Sequence, residues 1–372
     1  MPVYTLSPFI SIRQKAKMGD ASQSENGPLF YLITYPRSCS NLLLHMIALD
    51  DQPNVFPASE HGGYFFMPFF KGCLKEKVWT MHVDQLSEEQ ITKMKQLAQS
   101  CAEALGEHVA KARSLHKMVV VKEHATLFCD PVAMTKFLHG PESTTQQPWS
   151  ADPGPAAFGE TLVDDQSSSH SPDNETILPD RFLKAFKPTF LIRNPVLALP
   201  SFFRAIKDLH GGTSHEVNKL SLTLHWSRSL YDWYLRQFQD AAQTQNGDVH
   251  KDGEGVWPIV LDADDVMTEP GVLMRFCEIV GLDKTLVRYS WGAATKEQVE
   301  SMDQEHQRML STLLASSGIN QSKLSTNLSV ESEAPKWREE FGEEFGAMLE
   351  TYVRAAMPDY EYMKSKRLQP AQ

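Results

Sequence analysis

The chain lacks long apolar runs: none of its 372 residues begins a stretch of about 18 consecutive apolar side chains, so nothing in it reads as a membrane-spanning helix. The opening MPVYTLSPFISIRQKAKMGDASQSENGP has no apolar core followed by a small-residue cleavage site, which points to a cytoplasmic setting. Cysteine is scarce. The five present (Cys39, Cys73, Cys101, Cys129 and Cys277) are odd in number, far apart and free of CxxC or Cys/His spacing, which excludes a disulfide framework and a zinc site. Basic residues are outnumbered, 36 against 47 acidic, giving a net charge of −11. A protein that coats nucleic acid through bulk charge is thereby excluded, although a local basic pocket is not. What the chain does have is core material, 41% hydrophobic and 10% aromatic, enough for one large α/β domain with insertions or for two smaller domains.

Strand-like and helix-like patterns alternate. LFYLIT (29–34) is a short apolar, β-branched and aromatic run that reads as a buried strand, YPRSCSN as a loop, and LLLHMIALD as a helix. Residues 52–84 are rich in aromatics, Pro and Gly without a period and read as a pocket-lining loop. Ser87 with Gln90 forms a capping box ahead of a helical stripe, Ile91, Met94, Leu97, Cys101, Leu105 and Val109. Met118 to Val121 is a second short strand that delivers Lys122, Glu123 and His124 at its end. PTFLI and WPIVLDADD are further strands, residues 217–238 and the stripe from Trp337 to Val353 are helices, and Pro270 sits at a helix start. This alternation predicts a parallel sheet covered by helices on both faces. Residues 1–27 read as a flexible segment, 28–365 as a single domain, and 141–178 as a disordered acidic insertion, since 141–180 holds eight acidic side chains and no Lys or Arg.

Chemistry gathers where strands end. In TYPRSCSNLLL, residues Arg37, Ser38, Cys39, Ser40 and Asn41 set a guanidinium, hydroxyls and an amide between a strand and a helix start, a combination suited to an anion. The loop lacks both glycines and the Lys-Ser/Thr pair of GxxxxGK[ST], so ATP or GTP hydrolysis is not supported. In FLIRNPVLALPS, Arg193 closes a strand and Ser201 follows near a helix start, where the two can converge on one anion. Among single residues, His61 could reach a substrate from the aromatic loop, Glu123 should point away from His124, and Asp262, Asp264 and Asp265 read as a solvated turn leading into a helix. His45 reads as a packed core residue.

Taken in order, TYPRSCSNLLL, VVVKEHA, FLIRNPVLALPS, WPIVLDADDVMTEPGVLMRFCEIVGL and APKWREEFG resemble the motifs of sulfotransferases that use the activated sulfate donor PAPS, and most resemble the divergent fungal branch. The resemblance covers about residues 28–130 and 180–360. It implies the P-loop-type α/β sulfotransferase fold and transfer of a sulfonate group from PAPS to a hydroxyl of a small, apolar metabolite, without a metal. By the same resemblance Arg37 stabilises charge on the leaving phosphate and Ser38, Cys39, Ser40 and Asn41 cradle it. Arg193 and Ser201 bind the donor's second phosphate, and His124 is the base. Three positions depart from the family pattern: Cys39 replaces a loop glycine, Leu42 a tryptophan, and LSVESEAPKW an Arg-Lys-Gly element. Because fold does not fix chemistry, two other uses of the pocket stay open: hydrolysis, lactonisation or cyclisation in specialised-metabolite biosynthesis, and non-catalytic anion binding.

Overall fold

All six residues of Leu29–Thr34 (β1) are buried, because this strand has a neighbour on each edge and a helical layer on each face. The structure is a computed structural model and describes residues 27–57, 63–157, 170–244 and 256–371. The segment 1–26 and His61 lie outside the described residues. Among the described residues the sheet has four strands in the order β2-β1-β3-β4, with β2 at Val119–His124, β3 at Lys187–Ile192 and β4 at Ile259–Asp262, and every pairing is parallel. This is the α/β architecture expected from the alternating patterns.

Helices occupy the connections. They run Ser40–Met46 (α1), Met67–Lys75 (α2), Glu88–Ser114 (α3), Pro131–His139 (α4), Asp180–Lys184 (α5), Pro195–His210 (α6), His215–Ser221 (α7) and His225–Thr244 (α8). Ala263–Thr268 (α9), Pro270–Val280 (α10), Lys296–Glu300 (α11), Gln304–Leu314 (α12), Val330–Phe341 (α13) and Glu343–Ser365 (α14) follow. The alternation within β1 divides the core in two: Tyr31 and Ile33 enter one cluster with α3, α8 and α14, while Phe30 and Leu32 enter the other with α1 and α10. The Ser87–Gln90 capping box forms as read, and Pro270 opens α10.

Four sequence expectations change. The helix expected over 217–238 is two helices, because the Thr223 hydroxyl accepts the His225 N–H at 3.1 Å and starts a new one. The C-terminal stripe is likewise divided, at Gly342, whose φ of 89° no helical residue adopts. The aromatic segment read as a loop contains α2. Finally, the acidic segment over 141–178 is not a solvated insertion in its described parts: Trp149, Ala151, Ile177 and Leu178 are buried. Hydrogen bonds hold the described backbone beside them. Asp130 accepts the N–H of Trp149 at 3.1 Å, and Asn174 donates to the Leu178 carbonyl and to Asp180, each at 2.8 Å. Residues 158–169 lie outside the described residues.

Candidate active site

The base position follows from strand register. The parallel pairing of β1 and β2 sets Thr34 opposite His124, Ile33 opposite Glu123 and Leu32 opposite Lys122. Side chains alternate, so Lys122, His124 and Thr34 share one face at the carboxyl end of the sheet and Glu123 takes the other. Thr34 donates its hydroxyl to the Glu123 carbonyl at 3.2 Å. The 2.6 Å contact between Thr34 Oγ1 and His124 Nδ1 is therefore assigned as an Nδ1–H donating to the hydroxyl oxygen. That leaves the lone pair on Nε2, where it accepts from the Tyr64 hydroxyl at 3.0 Å. Burial and the Lys122 ammonium hold the imidazole pKa down at about 3, against the opposing pull of the Thr34 backbone. Both causes favour the neutral imidazole.

Glu123, as read, points away from this cavity. It is fully buried, and its Oε1 accepts the backbone N–H groups of Phe65 at 2.5 Å and Phe66 at 3.0 Å. Burial pushes its pKa up to about 8 despite those two bonds and Lys122. The carboxyl therefore fastens the aromatic segment to β2. On the cavity side Lys122 donates to Asn41 Oδ1 at 2.7 Å and lies 4.3 Å from the centre of the Tyr64 ring. Desolvation lowers the Lys122 ammonium to about 8.

The anion loop is more contorted than its sequence shows. Arg37 and Cys39 both take left-handed backbone, φ 67° and 68°, in a loop where the related motif places glycine. Such a conformation costs about 1 kcal/mol or more for each non-glycine residue. Its effect is to aim Arg37 back across the cavity: Nε donates to Ser201 Oγ at 3.1 Å and Nη1 to the Met309 carbonyl of α12 at 2.5 Å. Arg193, 7% exposed, donates from Nη1 to the Arg37 carbonyl at 2.9 Å and from Nη2 to the Lys323 carbonyl at 2.7 Å. Burial and the neighbouring charges of Arg308, Arg193 and Arg204 lower the Arg37 pKa, which is the signature of a cationic cleft.

These pieces enclose a cavity of about 410 Å³. Arg37, Cys39, Ser40, Asn41, Lys122, His124, Arg193 and Ser201 all line it, so the structure brings seven of the eight sequence-predicted residues and Lys122 to one space. Ser38 is the exception. It lies buried behind the loop, its Oγ without a partner. Met67, Phe70, Trp79 and Leu127 give the cavity apolar lining as well. Sequence reasoning missed Thr34, Met309 and Lys323. Strand register brings Thr34 to His124, while Met309 meets Arg37 across 272 residues of chain and Lys323 meets Arg193 across 130. The Asp cluster also differs from its reading: Asp262 is buried, caps α9 and accepts from Tyr360 at 2.8 Å, while Asp265 pairs with Arg367 at 2.7 Å. His45 stacks edge-on against Trp291 at 4.8 Å and lines no part of the cavity.

Fold and cavity together define an α/β protein with a cationic cleft and a neutral imidazole at the carboxyl ends of parallel strands. No family model matches the chain. Among curated proteins it is similar to sulfotransferase ppzF of Metarhizium rileyi, 35% identical over 342 residues, which span 91% of this chain and 96% of that protein. It is also similar to sulfotransferase ppzF of Metarhizium majus, 36% identical over 344 residues with the same coverage of both. The chain belongs to the sulfotransferases. Among solved structures, the sulfotransferase domain of the Synechococcus PCC 7002 olefin synthase aligns with 84% of this chain and 92% of its own at 12% identity and a TM-score of 0.35, too loosely to support any argument. No helix among the described residues is long and apolar enough to cross a membrane.

Proposed function

We propose that this enzyme transfers a sulfonate group from PAPS to a hydroxyl of a small, apolar acceptor, with His124 as the base and Arg37 as the group that neutralises the leaving phosphate. The observation that carries the reading is the shared cavity: the lone pair of His124 and the guanidinium groups of Arg37 and Arg193 face one space that also has apolar lining at Met67, Phe70, Trp79 and Leu127.

The donor's phosphates fit the residues present. Arg37 and Arg193 now satisfy N–H groups on backbone carbonyls, and Arg193 Nε is buried without a partner. Anionic oxygens replace carbonyl dipoles with full charge and supply the missing acceptor, and such charge-assisted bonds are roughly twice as strong as neutral ones. Ser40 and Asn41 add polar groups to the same wall. The acidic stretch that stands in place of the Arg-Lys-Gly element does not oppose this, because Glu331 pairs with Arg354 at 2.9 Å and Glu333 with Lys336 at 2.6 Å.

PAPS supplies an activated sulfur with a phosphate leaving group. The protein's part is alignment and charge neutralisation, as in phosphoryl transfer. Arg193 with Ser201 anchors one end of the donor, Arg37 meets the charge that grows on the departing oxygen, and His124 receives the acceptor's proton. A neutral imidazole needs no prior deprotonation, and a bound anion beside it raises its proton affinity above the value burial imposes. The apolar wall at Met67, Phe70 and Trp79 excludes water and favours an acceptor of similar character.

Mass spectrometry of candidate hydroxyl acceptors incubated with the protein and PAPS tests the reading, and one added SO₃ is expected. Calorimetry with 3′,5′-ADP should show heat at sub-millimolar concentration. No heat at millimolar concentration together with no sulfonated product would overturn the assignment, and turnover of an ester or acyl substrate without PAPS would replace it.

A further inference from the structure

The Tyr64 hydroxyl occupies the one lone pair that His124 offers to the cavity, 3.0 Å from Nε2. A phenol that merely filled space there would block the base, and an acceptor hydroxyl would have to displace it. Tyr64 is, however, pinned from several sides. The backbone after it is fastened to β2 through the Phe65 and Phe66 N–H bonds to Glu123. Its ring lies beneath the Lys122 ammonium and packs against His124 with centroids 4.8 Å apart. Tyr64 lines the same cavity as Ser40 and Asn41 of the anion loop, and its hydroxyl stands against the base.

Resting on the sulfonate-transfer reading above, we infer that Tyr64 is a catalytic residue that relays the acceptor's proton to His124. The acceptor O–H donates its proton to Tyr64 Oη while Tyr64 passes its own proton to His124 Nε2. The acceptor oxygen forms its bond to sulfur as the bond from sulfur to the phosphate oxygen breaks, and that electron pair leaves with the phosphate. Nothing is oxidised or reduced. The step ends with a neutral Tyr64 and an imidazolium at His124, whose Nδ1–H remains on Thr34. The Lys122 cation over the ring stabilises the negative charge that builds on the phenol oxygen during transfer. Burial pushes the phenol pKa up, so Tyr64 enters the step protonated.

Tyr64→Phe tests this, because it keeps the ring, its packing and the cation–π contact and removes only the oxygen. The expected result is a fall in kcat of about 10²-fold or more, the range for loss of a general acid–base group. KM for the acceptor and 3′,5′-ADP affinity should stay within about threefold. In the ligand-free protein the ¹⁵N resonance of His124 Nε2 should move and that of Nδ1 should not. Turnover equal to or above wild type, or an unmoved Nε2 resonance, overturns the relay while leaving the donor reading intact. A wild-type protein that binds no 3′,5′-ADP and forms no product overturns the donor reading and the relay with it.

Discussion

The two ends of the cavity are built differently. At the base end every partner is side chain or strand: Thr34, His124 and Lys122 are placed by sheet register, and Tyr64 is fastened by Glu123. At the anion end the two arginines are held by carbonyls of distant segments, Met309 in α12 and Lys323 in the 3-10 turn Gln321–Lys323. The base is preorganised, whereas the cations rest on interactions that an anion must replace. Changes at the base end should therefore cut turnover and spare binding, a change of Arg193 at the anion end should do the reverse, and a change of Arg37, which meets the departing charge, should affect both.

The largest separation is expected from His124→Ala, which should lower turnover by about 10²–10⁴-fold while 3′,5′-ADP binding by calorimetry stays within a few-fold. Equal losses in both would erase the division between the ends. Arg193→Ala should weaken 3′,5′-ADP by about 10–100-fold, the equivalent of one charge-assisted contact, measured in the same titration. A smaller effect belongs to Glu123. Its pKa is raised from 4.5 to about 8, so the folded state binds more protons than the unfolded chain between those values, and this group's contribution to stability declines as pH rises through the window. Glu123→Gln keeps the acceptor for Phe65 and Phe66 and removes the titration. Thermal or urea unfolding should show the variant gaining on wild type from pH 5 to pH 8.5, by about 1–3 kcal/mol at the top, and a pH-independent difference would refute the assignment. Smallest of all, Cys39→Gly relieves left-handed strain at the cost of chain entropy, and unfolding midpoints should shift by less than about 1 kcal/mol.

The sheet and the gathering of Arg37, Arg193, Ser201 and His124 were legible because each is carried by a local pattern: an apolar run that ends, a loop of polar residues, a helix that begins. Thr34 was not legible as a partner of His124, since only the pairing of two strands 90 residues apart puts them together. The turn of Glu123 away from the cavity follows from strand alternation, but its grip on Phe65 and Phe66 depends on how the aromatic segment folds back. Composition alone did not reveal the buried residues in the described parts of 141–178. In the described parts of that segment Trp149, Ile177 and Leu178 are buried, and hydrogen bonds to Asp130 and from Asn174 hold the backbone beside them.

The register of β2 against β1 ties the fate of the chemistry to the fate of the fold. Side chains alternate with a period of two, so deleting or inserting one residue before Lys122 would turn the imidazole into the core and a carboxyl into the cavity. The base cannot drift by small steps along this strand. A lineage that altered the chemistry here would have to substitute residues in place, position 124 against position 34, and could not slide the strand to find a new one.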